Sequence, residues 1–473
     1  MNPFLASSTA AAAAEAAHDA HAVPFGVTLL FTGVLVALIA SLALEEKIHA
    51  KKSLIVGVFA VLSLLLGAAF GLLPFGPVTN VFGEQLQLPV YIPAIDWSVI
   101  AIILGSSLFV DATSKSGLFT FIAIRLTRMS GGDPLKLLWL YGAMTVVFSA
   151  VLNNVTAMII VGSLTVVSLD KLGRRDKLLA FLLVEGLLTN VGGLLTLISS
   201  VPNIIVGTTA GISFGAFFIV AAPYVAVATA LTLWLGARWN GITALSSEAE
   251  KQTAAEQVAG FDEKDGVESE GFLWFAAAMT LAFILTIATT SALPWVSDLG
   301  MGFVAMAFAV AMLVRFKSEV DTFYDAVDWD LLGFFAGLFV VINVMEHAQV
   351  LALIGHGLEW LIALGDVAGT GILLVASSVA SSVTDNIPLA AMLAKILGGL
   401  GTPSDSALWW SVVFGANLGG NITPIGSAST LVAVTIIHKH GLELSFAGFV
   451  KRALPYAAAQ LVLATAYVLL FLR

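Results

Sequence analysis

The chain has 473 residues, 59 % of them hydrophobic and only 11 % charged, with a mean hydropathy of +0.98. Soluble domains carry about 25 % charged residues, so a water-soluble fold is excluded, and apolar runs long enough to cross a hydrocarbon core of about 30 Å recur almost end to end. The absence of cysteine removes disulfides, thiolate catalysis and Cys-ligated metals, while a net charge of -10 hints at acidity without saying where it sits. The expected fold is an all-α polytopic membrane protein with about ten transmembrane helices, two re-entrant hairpins and two broken helices.

Residues 1–23 form a tail with an Ala run and Glu15, His18, Asp19 and His21, without the basic n-region of a cleaved signal peptide. Three side chains on such a tail are a weak basis for a metal site. Residues 24–94 hold the first transmembrane helices, at about 25–44 and 53–73, with Lys47, Lys51 and Lys52 between them; if the N-terminus lies outside, these lysines lie inside. A first repeat is expected over 95–238. Its opening span ends near Lys115, and the next stretch, with Arg125 and Arg128, reads as an amphipathic helix on the inner surface. The following apolar stretch starts at Lys136 and ends at Lys171, Arg174, Arg175 and Lys177, so both ends favour one side and Asn153-Asn154 lies at the midpoint. That is the charge pattern of a re-entrant hairpin with a polar tip. A span over about 178–208 then passes through a break at Gly192-Gly193, and another over 216–235 returns to Arg238.

Residues 239–271 carry Glu248, Glu250, Glu256, Asp262, Glu263, Asp265, Glu268 and Glu270 against Lys251 and Lys264, and read as a solvated cytoplasmic loop. Residues 272–473 complete the chain, with spans at about 272–292 and 295–314, a span from Trp329 to Glu346, and a surface helix over 351–364. A second hairpin with Asp385-Asn386 at its tip follows, then a span broken at Gly419-Gly420, and a last one from Lys451-Arg452. In this arrangement all 21 Lys and Arg except Lys395 and Arg473 face the cytoplasm. The expected location is the plasma membrane, a bacterial inner membrane, crossed many times within the lipid bilayer.

The two halves are alike. Ser149–Asn154 reads SAVLNN, and 232 residues later Ser381–Asn386 reads SSVTDN; the pair Asp96-Trp97 recurs as Asp328-Trp329 at the same offset. NVGGLLTLIS from Asn190 aligns with NLGGNITPIG from Asn417 at an offset of 227. One hairpin opens inward and the other outward, which is inverted-repeat topology.

Unpaired backbone and polar side chains at membrane depth are tolerated only inside protein or beside a wet cavity. They gather in four matching places: Asn153, Asn154 and Thr156 at one tip; Thr384, Asp385 and Asn386 at the other; Thr196, Ser199, Ser200 and Asn203 in one break; Thr423, Ser427 and Thr430 in its counterpart. Broken helices expose amides that favour anions and carbonyls that favour sodium or protons. A single midplane site for a small ion or small-molecule substrate follows, with a sodium ion expected near Asn154, Asn190, Gly193, Asn386, Asn417 and Gly420 as coupling ion and no other cofactor. Asp385 is the clearest ionisable candidate; Glu185 and Asp111 are candidates for proton coupling. Small-residue packing explains one Gly pair well enough, but not two matched pairs behind polar tips. Catalysis is disfavoured: HExxH is absent, and Gly365-Asp366, faintly like the GxGD motif of intramembrane aspartyl proteases, has Ala363 at the first glycine. Nothing points to nucleic acid.

The segments DWSVIAIILG, LNNVTAMIIVGSLTV, GGLLTLISSVPNIIVG, SSVTDNIPLAAM and LWWSVVFGANLGGNITPIGSASTLVA, in that order and spacing, resemble the ion transporter superfamily, in particular its ArsB and P-protein type permeases with a citrate-transporter-like domain. The resemblance covers most of the chain from about Ile95, except the acidic loop. It implies a secondary transporter with two re-entrant hairpins, a homodimeric assembly and elevator-like alternating access. That branch usually has Asp-Asn at the first tip, where this chain has Asn153-Asn154, and Gly-Asp-Pro-Pro-Asn in the first break, where it has Ser199-Ser200-Val201-Pro202-Asn203. NhaD-type sodium/proton antiporters are similar at Asp385-Asn386 but also keep those first-half acids. With two carboxylates missing, the first tip approaches the neutral chemistry of the divalent-anion/sodium symporters. The expectation is a small anion or oxyanion substrate (carboxylate, arsenite-like or inorganic) coupled to sodium or proton; the alternative is NhaD-like sodium/proton antiport.

Overall fold

The computed structural model describes residues 23–472 except 81, 268, 318 and 319; the tail residues His18, Asp19 and His21, together with Glu268 and Arg473, lie outside the described residues. Among the described residues the regular structure is helical, save for a two-stranded ribbon pairing Val78–Thr79 with Gln85–Leu86. Among the described residues ten helices are long and apolar enough to cross a membrane. They include both arms of the first hairpin and exclude the two broken helices, whose halves are too short singly.

Helices of ten or more residues are numbered here. Two precede the first repeat, α1 (Phe25–Ala43) and α2 (Lys52–Ala69). The repeat itself comprises α3 (Trp97–Lys115), α4 (Leu118–Ser130), α5 (Pro134–Val151), α6 (Asn154–Lys171), α7 (Leu178–Gly192), α8 (Val201–Ala210) and α9 (Phe214–Trp239). After α10 (Glu248–Ala259), two helices, α11 (Glu270–Ala288) and α12 (Val296–Arg315), lead into the second repeat. It comprises α13 (Trp329–His347), α14 (Val350–Ile362), α15 (Asp366–Val383), α16 (Asn386–Gly399), α17 (Ala407–Gly419), α18 (Ala428–Lys439) and α19 (Phe446–Phe471).

The repeats therefore match helix by helix, down to their caps. Asp96 accepts from the Ser98 and Val99 amides at the start of α3, and Asp328 from the Leu331 amide at the start of α13. Ser213 and Ser445 cap α9 and α19 in the same way, satisfying amides that the helix leaves open. Both of these helices run for 26 residues and carry an internal proline in register, Pro223 and Pro455, a correspondence that the sequence reading passed over.

The chain divides into two compact units, residues 1–95 with 333–356, and residues 96–332 with 357–473. Within the first, α2 approaches α13 closely at two glycines: a Cβ on Gly337 would stand 2.9 Å from Val56, and one on Gly67 3.3 Å from Val344. Only 28 % of α1 and of α2 is buried, so most of their apolar surface is left for lipid. In the second unit, α3 and α12 meet where Gly105 lies against the Ala305 and Met306 backbone, 2.5–2.6 Å from where its Cβ would be.

The acidic segment is less solvated than its composition implies. Ser247 and Glu250 form a reciprocal capping box at the start of α10, and the backbone hydrogen bond from Ser247 holds the Glu250 carboxyl below its usual range. Ala254 and Val258, four residues apart and so on one face, are buried with Phe261. Ala254 packs against Gly132 beside α4, the Leu245 amide donates to Asp133, and Lys171 sits over the Phe261 ring. The charges face outward while three apolar side chains anchor the segment to the first repeat, a pattern hidden by the surrounding acid.

Candidate functional site

Each hairpin turns on one extended residue followed by a capping residue. Leu152 and Thr384 are the extended pair, and Asn153 and Asp385 begin the return arms α6 and α16, accepting from the Thr156 and Ile387 amides respectively. The second arm starts Asn-Ile-Pro, and Pro388 loses nothing there because a first-turn amide has no intrahelical partner. Asn153, Asn154, Thr156, Thr384 and Asp385 are half-buried; Asn386 is buried.

The breaks lie directly against the tips. α7 stops at Gly192 and α17 at Gly419 because glycine there admits the neighbouring hairpin: a Cβ on Gly192 would collide with the Val146 backbone and Ser149, and one on Gly419 with Ser378 and Ser381. These contact pairs occupy equivalent repeat positions. The hydrogen bonds do the same: Ser149 donates to the Thr189 carbonyl at 2.6 Å and Ser381 to the Ala416 carbonyl at 2.6 Å, while Thr196 donates to the Ala150 carbonyl and Thr423 to the Ser382 carbonyl, both at 2.5 Å. Hairpin and break are thus stitched together twice by one design.

The two repeats then join reciprocally. Asn190 of the first donates to Ser427 of the second at 2.9 Å, and Ser200 of the first donates to Asn417 of the second at 2.7 Å. Because Asn190 matches Asn417 and Ser200 matches Ser427, the exchange has two-fold character. Around it, Asn190 also donates to Asn421 and accepts from Asn154 and Ser429, and Asn417 donates to Asn203 at 2.9 Å. Asn203 and Ser199 both donate to the Gly193 and Thr196 carbonyls. Thr430 bonds Ser427 and, at 3.3 Å, the Gly420 carbonyl. The result is a buried lattice of amides and hydroxyls that, among the described residues, includes no carboxylate.

Of the sequence-predicted residues, Asn154 and those of the two breaks are brought together, whereas Asn153 and Thr156 bond each other and Thr384 bonds the Ala380 carbonyl of its own arm. Asn154 is locked into the lattice through Ser149 and Asn190, whereas its repeat mate Asn386 makes no side-chain hydrogen bond among the described residues. The amide oxygens of Asn154, Asn203, Asn417 and Asn421 each accept one side-chain hydrogen bond and keep a second lone pair, whereas that of Asn190 accepts two. Glu185 is fully buried on α7, five residues before Asn190, and Asp111 is half-buried on α3 outside the lattice. Sequence reasoning missed Gln460, which accepts from Asn421 and donates to Thr232. A lone amide in the apolar run of α19 was the available signal.

The family model for citrate transporters (CitMHS) matches residues 54–415. The chain belongs to the citrate transporter family. This family member is 30 % identical over 383 residues to an uncharacterised transporter of Mycobacterium tuberculosis, covering 79 % of this chain and 86 % of that one. It is 23 % identical over 509 residues to the P protein of Homo sapiens, covering 90 % of this chain and 60 % of that longer protein. An uncharacterised transporter of Synechocystis is 26 % identical over 400 residues, covering 79 % of this chain and 85 % of that relative. Among solved structures, the crystal structure of the YdaH transporter of Alcanivorax borkumensis, described as having an unusual topology, superposes with a TM-score of 0.58 at 15 % identity, over 89 % of this chain and 98 % of that one. The protein is thus a multi-pass membrane transporter, and its bacterial relatives imply the plasma membrane.

Proposed function

We propose that this transporter is a secondary carrier of a small anion or oxyanion, with a carboxylate such as citrate the first candidate from the family's name, coupled to sodium or proton and exposed alternately by elevator-like movement. The observation that carries this reading is that, among the described residues, the buried lattice is built from amides and hydroxyls without acidic side chains, and Asp385 is the one carboxyl at a hairpin tip. A site built this way repels an anion less than a carboxylate cluster would, and suits a hard cation less. The uncommitted Asn386 amide beside Asp385 supplies the donor that a bound oxyanion needs. Two copies per assembly and a coupling sodium near the break carbonyls belong to the same proposal.

A thermal-shift screen of purified protein against citrate, dicarboxylates, sulfate, arsenite, sodium and lithium identifies the ligand class. In proteoliposomes the anion so identified is taken up by the wild type, and Asp385→Asn abolishes uptake or frees it from pH and sodium. Asn caps a helix as well as Asp does, so this variant keeps the start of α16. Unchanged coupled uptake in Asp385→Asn would remove Asp385 from the mechanism. Internal pH changes on adding sodium with no anion present would replace anion transport with cation/proton exchange.

A further inference from the structure

One buried acid is used by nothing described so far. Glu185 is 0 % exposed; Thr165 Oγ1 donates to one of its carboxyl oxygens at 2.7 Å, and the other oxygen is buried with no hydrogen-bond partner. Among the described residues no cation lies against it. On α5 the titratable group that interacts with it is Tyr141. The ionisable side chains of α6 are Asp170 and Lys171, exposed at its end; α9 offers exposed Arg238, and α18 exposed His438 and Lys439. α17 has none. On α19 Lys451 and Arg452 are exposed, and the Tyr456 hydroxyl accepts from Asn240. Ahead of α7, Lys177 pairs with Asp176 and Arg175 with Asp170.

An unpaired charge at this depth costs more than a protonated acid whose O–H lacks an acceptor, so the group is suited to bind and release a proton. Its surroundings supply a route. Tyr141 Oη is 2.7 Å from Ser168 Oγ and 2.8 Å from Thr127 Oγ1, all three buried, and Thr127 lies beside the exposed Arg128 on α4. Ser168 follows Thr165 by one turn on the same face of α6, roughly 5–6 Å away at Cβ, a gap that one water spans. At about 1.5 Å per residue, Glu185 sits roughly 10 Å in from the basic start of α7, with Asn190 about 7 Å deeper. The carboxyl thus stands between the basic face and the amide lattice.

We propose that Glu185 is a proton-binding site of this transporter, loaded from the face carrying Arg125, Arg128 and Lys171 through the hydroxyls of Thr127, Tyr141, Ser168 and Thr165. The step is proton binding alone: carboxylate and proton give carboxylic acid, and each hydroxyl, like the one water needed between Ser168 and Thr165, accepts one proton as it passes one on. Its role in coupling rests on the transport reading above; the existence of the site does not.

Infrared difference spectra of the purified protein in liposomes, taken across a pH titration, test it directly. The wild type shows, apart from the bands of the exposed acids, a titrating C=O band at the higher frequency of a carboxyl out of contact with water; Glu185→Gln, which keeps side-chain volume and the Thr165 hydrogen bond, lacks it, and Asp111→Asn retains it. Tyr141→Phe retains the band but slows its relaxation after a pH jump by about tenfold or more. Size-exclusion profiles matching the wild type establish that the variants are folded. Survival of that high-frequency band in Glu185→Gln overturns the site, and wild-type relaxation in Tyr141→Phe overturns the route. Loss of the band in Glu185→Gln upholds the site even if no screened anion is carried. Anion uptake accompanied by an unaltered band in that variant overturns the site and leaves the transport reading standing.

Discussion

Asn190 and Asn417 carry the junction between the repeats, but with unequal partners. Asn190 makes four side-chain hydrogen bonds, with Asn154, Asn421, Ser427 and Ser429, while Asn154 makes two, with Ser149 and Asn190. Interhelical hydrogen bonds in membrane proteins average about 0.6 kcal/mol, so Asn190→Ala is expected to cost about 2–3 kcal/mol and Asn154→Ala about 1 kcal/mol. Thermal unfolding in detergent reads the order; an equal fall in midpoint for both would mean that the lattice is not centred on Asn190. The participants were legible in the sequence where a polar residue interrupted an apolar run twice at matched positions, as at Asn153-Asn154 and Asp385-Asn386. Ser149 and Ser381 were not legible as stitches, because a serine in an apolar helix ordinarily bonds the carbonyl one turn back. Only the crossing of α7 over the first hairpin shows that Ser149 donates to Thr189 instead. Gln460 was unread for a different reason: its partners, Asn421 and Thr232, lie far away in the chain.

At the scale of elements, the breaks are defined by glycine. α7 and α17 end where a hairpin backbone occupies the space of a side chain: a Cβ on Gly192 would lie 2.7 Å from the Val146 backbone, and one on Gly419 closer still to the Ser378 carbonyl. Backbone cannot turn aside as a side-chain tip can, so Gly192→Ala and Gly419→Ala each overpack the seam, at a cost of about 1–3 kcal/mol or more. Gly33 in the interior of α1 has nothing within 4 Å of its Cβ position, and Gly33→Ala is expected to stabilise by about 0.5–1 kcal/mol through helix propensity. Opposite shifts in unfolding midpoint are the expected result; a Gly192→Ala protein as stable as wild type would show that the hairpin and break separate easily. The positions of the breaks could be read from their Gly pairs. Their exact fit could not, since at another pair of matched positions the repeats exchange roles: Gly142 faces Leu188 in the first, whereas Gly415 faces the Leu374 carbonyl in the second. The close approach is kept while the glycine moves to the other helix, which defeats residue-by-residue alignment.

Across the whole molecule, the acidic connection between the halves behaves as a fastened strap on the first repeat. Two kinds of contact hold it, and their magnitudes differ. Its ion pairs are exposed, Arg128 with Glu263 at 3.0 Å and Lys171 with Asp265 at 3.8 Å, and such pairs contribute about 0–1 kcal/mol each before salt screens them. Ala254, Val258 and Phe261 are buried to 4–7 % exposure, and full burial of a Val or Phe side chain is worth about 1.5–3 kcal/mol. Packing therefore outweighs charge here. Limited proteolysis across 240–270 should be nearly insensitive to high salt, while Val258→Asp, which puts a charge where the apolar face meets the first repeat, should accelerate cleavage about tenfold or more, as the loss of 1.5 kcal/mol or more implies. Lys251→Ala, on the exposed face of α10 and paired only with Glu248, should leave the rate unchanged. If salt alone released the strap as fast as Val258→Asp does, the charges and not the three apolar side chains would be what fastens it.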